Sequence, residues 1–296
     1  MTPRTLDASL LVDAHAELGE APLWDATDGS LVWVDILPGI VSVISASGEE
    51  RATFALGHAV GSAMPAREGG WLLADAMGFG RLARDGRRTL ILDVLADRPE
   101  LRFNDAKCDP MGRAWAGTIE REMSPGTGTL YRLDPGPVAT PVLGGLTVSN
   151  GLGWSPDART MWFADSADRV IRGFGYEPEH GLLEDQRLGI ELQRTAGKAD
   201  GLCVDDEGYV WVGLWAGSAV HRYAPDGRLD TIVRVPASQV TSCAFGGPDG
   251  SILFITTARV GLTEDALRLE PLAGGLFVVE PGVTGPPATP WRLEPG

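Results

Sequence analysis

Four oxygen-bearing side chains open strand-like segments at matched places in this chain. Glu20, Asn104, Asn150 and Asp200 stand 13, 11, 12 and 11 residues ahead of Trp33, Trp115, Trp162 and Trp211, and Ser242 stands 12 ahead of Phe254. Each introduces a short apolar run: Glu20 before APLWD, Asn104-Asp105 before AKC, Asn150-Gly151 before LGW, Asp200-Gly201 before LCV and Ser242 before CAF. Two carboxylates and two carboxamides facing one another in a partly buried cup would be costly if left bare. One divalent cation removes that cost. An all-oxygen set suits a hard ion such as Ca²⁺, Mg²⁺ or Mn²⁺, and Zn²⁺ with carboxylate and water ligands stays open. The competing reading is that each residue merely ends a strand or a turn, Asn-Gly and Asp-Gly being common turn pairs. Recurrence of acid or amide residues at four matched positions favours the shared site.

Such residues meet only if the fold gathers them. Aromatic-rich strands LVWVDI, GGWLLADA, GRAWAGTI, TMWFADS, YVWVGLW and ILFITTA recur along the chain, and their aligned aromatics (Trp33, Trp71, Trp115, Trp162, Trp211, Phe254) are separated by 38, 44, 47, 49 and 43 residues. A period in that range, built of strands without intervening helices, predicts an all-β, six-bladed β-propeller with four-stranded antiparallel blades. One propeller domain over 1–296 is expected. In the first unit APLWD is the innermost strand, LVWVDI the second, IVSVIS the third and RATFAL the fourth. Asp28-Gly29, Asp85-Gly86, Asp226-Gly227 and Asp249-Gly250 supply hairpin turns, where a positive φ is demanded. Open terminal blades would expose sheet edges. The segment ASLLVDAH (8–15) is therefore expected to supply the outer strand of the sixth blade, beside strands near 252–256 and 275–280. A short helix is expected around Thr263–Leu269, capped by Thr263.

Other motifs are set aside. Gly78–Ala83 formally matches a dinucleotide fingerprint, but no helix follows, so it reads as a third strand of blade two. No GxSxG elbow occurs, and His15, His58, His180 and His221 form no metal spacing; His58 could approach the pocket rim. A net charge of −15 without basic runs excludes a nucleic-acid footprint. The N-terminus lacks the apolar core of a signal peptide, and no apolar stretch is long enough for a bilayer. Cys108, Cys203 and Cys243 form no CxxC pair and read as small buried hydrophobes in a reducing compartment. A cytoplasmic monomer, with no membrane partner, is the expectation.

The blocks LGEAPLWD, RFNDAKCDPMGRAWAGT, SNGLGWSPD, ADGLCVDDEGYVWVGLW, SCAFGGPDGSILFITTAR and PLAGGLF, in this order over nearly the whole chain, resemble those of the SMP-30/gluconolactonase/regucalcin family of six-bladed propellers. The resemblance implies one divalent metal ion held by Glu20, Asn150 and Asp200. It further implies that Arg102 and Asn104 face the substrate or a metal-bound water. Glu122, with Glu120 as a competitor on the same strand face, is implied to bind sugar hydroxyls. The implied activity is metal-dependent hydrolysis of a sugar-acid (aldono-) lactone in carbohydrate catabolism, with Asp200 as the catalytic base. Two alternatives remain: a non-catalytic propeller that binds a metal or a protein, and a related metal-dependent esterase or phosphotriesterase.

Overall fold

A computed structural model of the chain describes residues 2–134 and 136–293. Six sheets, each with four antiparallel strands, are arranged as the blades of a propeller, in the order innermost to outermost that the repeat predicts. The innermost strands are Gly19–Asp25, Val60–Pro65, Leu101–Cys108, Ser149–Trp154, Lys198–Val204 and Val240–Gly246. Burial grades outward. In blade one every residue of Gly19–Asp25 and Ser30–Asp35 is buried, whereas Glu50–Ala55 alternates exposed and half-buried positions. Strands covered on both faces read as continuous apolar runs, and only the outermost read as alternating ones. The six aligned aromatics are all buried, between 0% and 7% exposed, which accounts for their recurrence as packing between blades.

The hairpins follow the expected turn chemistry, with Gly29, Gly86, Gly227 and Gly250 at φ of 59°, 84°, 86° and 71°. At the end of two innermost strands an aspartate organises the next hairpin. Asp109 accepts the amides of Met111 and Arg113 and the Trp115 indole at 3.2 Å, and Asp205 accepts those of Glu207 and Tyr209 and the Trp211 indole at 2.9 Å. Gly78–Leu82 is the third strand of blade two, and Thr263 caps the helix Glu264–Leu269 by accepting the Ala266 amide at 3.2 Å.

Both termini tie the ring together. Ser9–Val12 is the outer strand of blade six, antiparallel to Leu276–Val279 with Ser9 opposite Val278 and Leu10 opposite Phe277. Closure by the N-terminal strand is thus as expected, with a shorter strand than 8–15. An unforeseen strand, Arg4–Asp7, runs parallel to Leu229–Arg234 as a fifth strand of blade five. Beyond Leu276–Val279 the chain turns beneath the ring. Thr284 O accepts the Asp206 amide (3.0 Å), and the Gly285 amide donates to Gly250 O (3.1 Å). Ala288 then donates to Trp24 O (3.0 Å), Trp291 to Pro65 O (2.8 Å) and Arg292 to Gly112 O (3.0 Å). This strap visits blades five, six, one, two and three in nine residues. Its GPPATP sequence favours the extended backbone such a path requires.

Candidate active site

All six innermost strands run in the same sense, so residues that start them share one mouth of the hub. Glu20, Asn104, Asn150 and Asp200 are brought to it and are buried, 4%, 6%, 4% and 5% exposed. Each sits in a local register shift: Glu20/Leu23, Phe103/Ala106, Ser149/Leu152 and Ala199/Leu202. A bulge interrupts the two-residue alternation and re-aims side chains, here toward the axis. Ala21, inside the first bulge, has a φ of 46°, an uncommon conformation for a residue with a Cβ. The strands also crowd together at this level. A Cβ on Gly151 would lie 2.5 Å from Asp200 O, and one on Gly201 would lie 2.1 Å from Ser242 Oγ.

Hydrogen bonds link the groups across blades. Arg102 Nη1 donates to Asn104 Oδ1 at 2.7 Å and to Phe103 O at 3.0 Å, and Asn104 Nδ2 donates to Ser149 O at 2.9 Å. Asn150 Nδ2 donates to Asp200 Oδ1 and, at 3.0 Å, to Ser166 Oγ. Glu20 Oε2 accepts the Ala21 amide at 2.9 Å. Asn150 Oδ1 and both carboxylate oxygens of Asp105 are buried without a hydrogen-bond partner. Burial, with repulsion from Asp105, pushes Glu20 up to about 8; burial, then Glu20 and Asp105, push Asp200 well above the usual carboxylate range. Burial also lowers Arg102 to about 10. The donor set that remains unsatisfied is all oxygen, which fits a hard divalent cation.

Asp105 and Lys107 belong to this neighbourhood and are not among the residues picked out by spacing. Asp105 directly follows Asn104, and strict alternation would send it to the opposite face. Lys107 is buried, donates from Nζ to Leu202 O across the hub and bears electrostatically on both Glu20 and Asp105. A second missed device is the aspartate ending the second strand. Asp35 accepts the amides of Glu17 (2.9 Å) and Leu18 (2.8 Å), and Asp165 those of Thr147 (2.8 Å) and Val148 (2.9 Å). Each carboxylate pins the backbone two residues ahead of Glu20 or Asn150. Its signal was the recurring VD and AD that close LVWVD, WLLAD and MWFAD. In blade two Asp75 instead holds Arg88 (2.8 Å) and stands 3.2 Å from His58 Nε2, so His58 faces that carboxylate.

The second strand of blade three ends at Glu120, whose Oε2 accepts the Ser124 amide at 3.1 Å. Glu122 lies in the following turn and is exposed, so the two glutamates do not share a strand face. Elsewhere Glu177, Glu179 and His180 form an acidic trio, but Glu177 already accepts the amides of Glu179 (2.6 Å) and His180 (2.9 Å). It is a turn.

A six-bladed propeller with a buried carboxylate and carboxamide cup at one hub mouth defines the class. The chain belongs to the SMP-30/gluconolactonase/LRE-like family, whose model matches residues 18–259. It is 35% identical to regucalcin of Danio rerio over 287 residues, covering 96% of this chain and 97% of the relative. It is 34% identical over 274 residues to the Bacillus subtilis (strain 168) protein named "Putative sugar lactone lactonase YvrE", covering 92% and 94%. In structure it is similar to a calcium-binding protein, regucalcin, from Agrobacterium tumefaciens, with a TM-score of 0.94, 29% identity, and coverage of 99% and 100%. No helix among the described residues is long and apolar enough to cross a membrane.

Proposed function

We propose that this protein hydrolyses a sugar-acid lactone to the open-chain acid, with one divalent cation held by Glu20, Asn150 and Asp200. The observation that carries the reading is Asn150, bonded through Nδ2 to Asp200 of the next blade and left with a buried, unpaired Oδ1, beside an Asp200 that also feels the Glu20 carboxylate. The names of the relatives support it, one being called a sugar lactone lactonase and another a calcium-binding protein. When bound, the cation would polarise the lactone carbonyl and stabilise the oxyanion that develops on it.

The chain's own groups do the rest. Asp200, bonded at Oδ1 to Asn150, takes a proton from the attacking water at Oδ2 and returns it to the departing ring oxygen. Arg102, anchored by Phe103 O and Asn104, turns its other N–H groups to the lactone hydroxyls, and Asn104 holds that guanidinium in place. Glu122, at the rim, accepts hydrogen bonds from the outermost hydroxyls, since Glu120 is engaged by Ser124. The free cysteines suit a reducing compartment such as the cytoplasm, where a monomeric lactonase would serve carbohydrate catabolism.

The test is turnover of aldonolactones, aryl esters and organophosphates by chelated protein re-supplied with Ca²⁺, Mg²⁺, Mn²⁺ or Zn²⁺ singly. Loss of lactone hydrolysis on chelation and its return with an ion is the expected result. Unchanged lactonase rates after chelation would remove the cation. Preference for aryl or phosphate esters would change the reaction, and ion binding without any turnover would indicate a non-catalytic propeller.

A further inference from the structure

The opposite mouth of the hub carries chemistry that lactone hydrolysis does not use. A cavity of about 320 Å³ opens there, walled by Trp24, Met64, Cys108, Trp154, Cys203 and Phe245. Two of the three thiols expected to be buried are half-buried, namely Cys108 and Cys203, while Cys243 is fully buried. Cys203 and Cys243 lie on the innermost strands of adjacent blades, and their Sγ atoms are 3.8 Å apart. The same strands nearly touch just above, where a Cβ on Gly201 would meet Ser242 Oγ at 2.1 Å. Cys243 Sγ also lies 3.6 Å from Trp211 O on the second strand of blade five, which turns it into the packing between the blades. Cys203 is thus the sulfur open to the cavity, and Cys243 the one waiting behind it.

We propose that Cys203 and Cys243 form a peroxide-oxidisable dithiol that closes into a disulfide between blades five and six. The Cys203 thiolate attacks one oxygen of hydrogen peroxide; an S–O bond forms, the O–O bond breaks, and hydroxide leaves to be protonated as water. Cys243 then gives up its proton and attacks the Cys203 sulfur; the S–S bond forms, the S–O bond breaks, and a second water departs. Two thiols lose two electrons together, and one peroxide is reduced to two waters. The sulfurs must approach by roughly 1.7 Å to reach a bond of about 2.05 Å. Cys108 has no thiol beside it, its Sγ being 3.8 Å from Met64 Sδ, and serves as an internal control.

The experiment treats the intact protein with hydrogen peroxide, blocks remaining thiols with iodoacetamide and maps tryptic peptides. Residues 199–222 hold Cys203, 235–259 hold Cys243 and 108–113 hold Cys108. The expected product is a 199–222/235–259 pair, lighter by two hydrogens, that dithiothreitol separates. In Cys243→Ser, dimedone should trap Cys203 sulfenic acid at least about tenfold more than in the unaltered chain. Both cysteines remaining alkylated after peroxide, or Cys203 advancing to the sulfinic acid without the cross-link, would overturn the proposal. The mapping uses the unaltered chain, so poor folding of the variant leaves the decision intact.

Discussion

The two mouths of the hub are made by the same six strands, yet one is crowded and polar while the other is roomy and apolar. Where the innermost strands begin, bulges and glycines bring backbones so close that a Cβ at Gly151 or Gly201 has no room. Polar groups placed there lose water and are forced on one another, which is why Glu20 and Asp200 are pushed upward. Where the strands end, Trp24, Leu152 and Phe245 surround an open space that the strap only partly covers. On the proposed function, lactone chemistry belongs to the crowded mouth, while the roomy one holds the strap, the apolar packing and the Cys203–Cys243 pair. The sharpest way to break this contrast is Asp200→Asn. It preserves shape and removes a buried acid, so the melting temperature should hold or rise while lactone turnover falls by roughly 10³-fold or more. A variant with ordinary turnover would take Asp200 out of the reaction.

The mirror experiment is Trp291→Ala. Trp291 is 3% exposed in the core shared with blades one to three, and its backbone pairs with Pro65 and Arg67. Emptying that volume should cost roughly 3 kcal/mol of unfolding free energy by denaturant titration. The turnover number of the folded fraction should stay within about twofold, because the strap lies at the far mouth from Asp200. A strong rate loss with normal stability would show that the two ends are coupled.

Much of this contrast was legible in the sequence. The propeller followed from aromatic spacing because each blade buries an aromatic of its second strand against a neighbouring blade, Trp115, Trp162 and Trp211 against the next one and Trp71 against Phe54 of the one before. The cup followed from matched starts because rotational repeats place equivalent residues around one axis. Asp105 escaped because the bulge between Phe103 and Ala106 overrides alternation, and no local signal marks that bulge. The strand Arg4–Asp7 escaped because its partner, Leu229–Arg234, is more than two hundred residues away. The strap escaped for another reason: a proline-rich extended segment has no period to read, and its amides find partners on five different blades.

A contrast in pH response needs one background removed first. His221, in the third strand of blade five, is bonded to Tyr223 Oη at 2.9 Å, and burial lowers it from 6.5 to about 4. The unfolded chain therefore binds this proton first. Its contribution is complete above about 6.5 and is lost as pH falls toward 4, on the order of 2–3 kcal/mol. His221→Gln should flatten the fall in melting temperature between pH 6.5 and 4. An unaltered acid slope would show that other groups set it.

The smallest expected effects give the closest comparison, because they fall at opposite ends of a single blade. Asp35 ends the second strand of blade one beside the cup and holds the Glu17 and Leu18 amides ahead of Glu20. Asp25 ends the innermost strand at the far mouth and accepts only the Thr27 amide, at 2.9 Å, among the described bonds. Asparagine at either place keeps one oxygen acceptor and replaces the other with a donor, so each change costs about 1 kcal/mol locally. At Asp35 that cost moves the Glu20 backbone, and kcat should fall about tenfold with KM little changed, since a displaced catalytic group costs rate more than binding. At Asp25 the same chemical change should lower the melting temperature slightly and leave kcat alone. Equal kinetic effects from the two would mean that position along the blade does not separate chemistry from support, and the contrast between the mouths would fail.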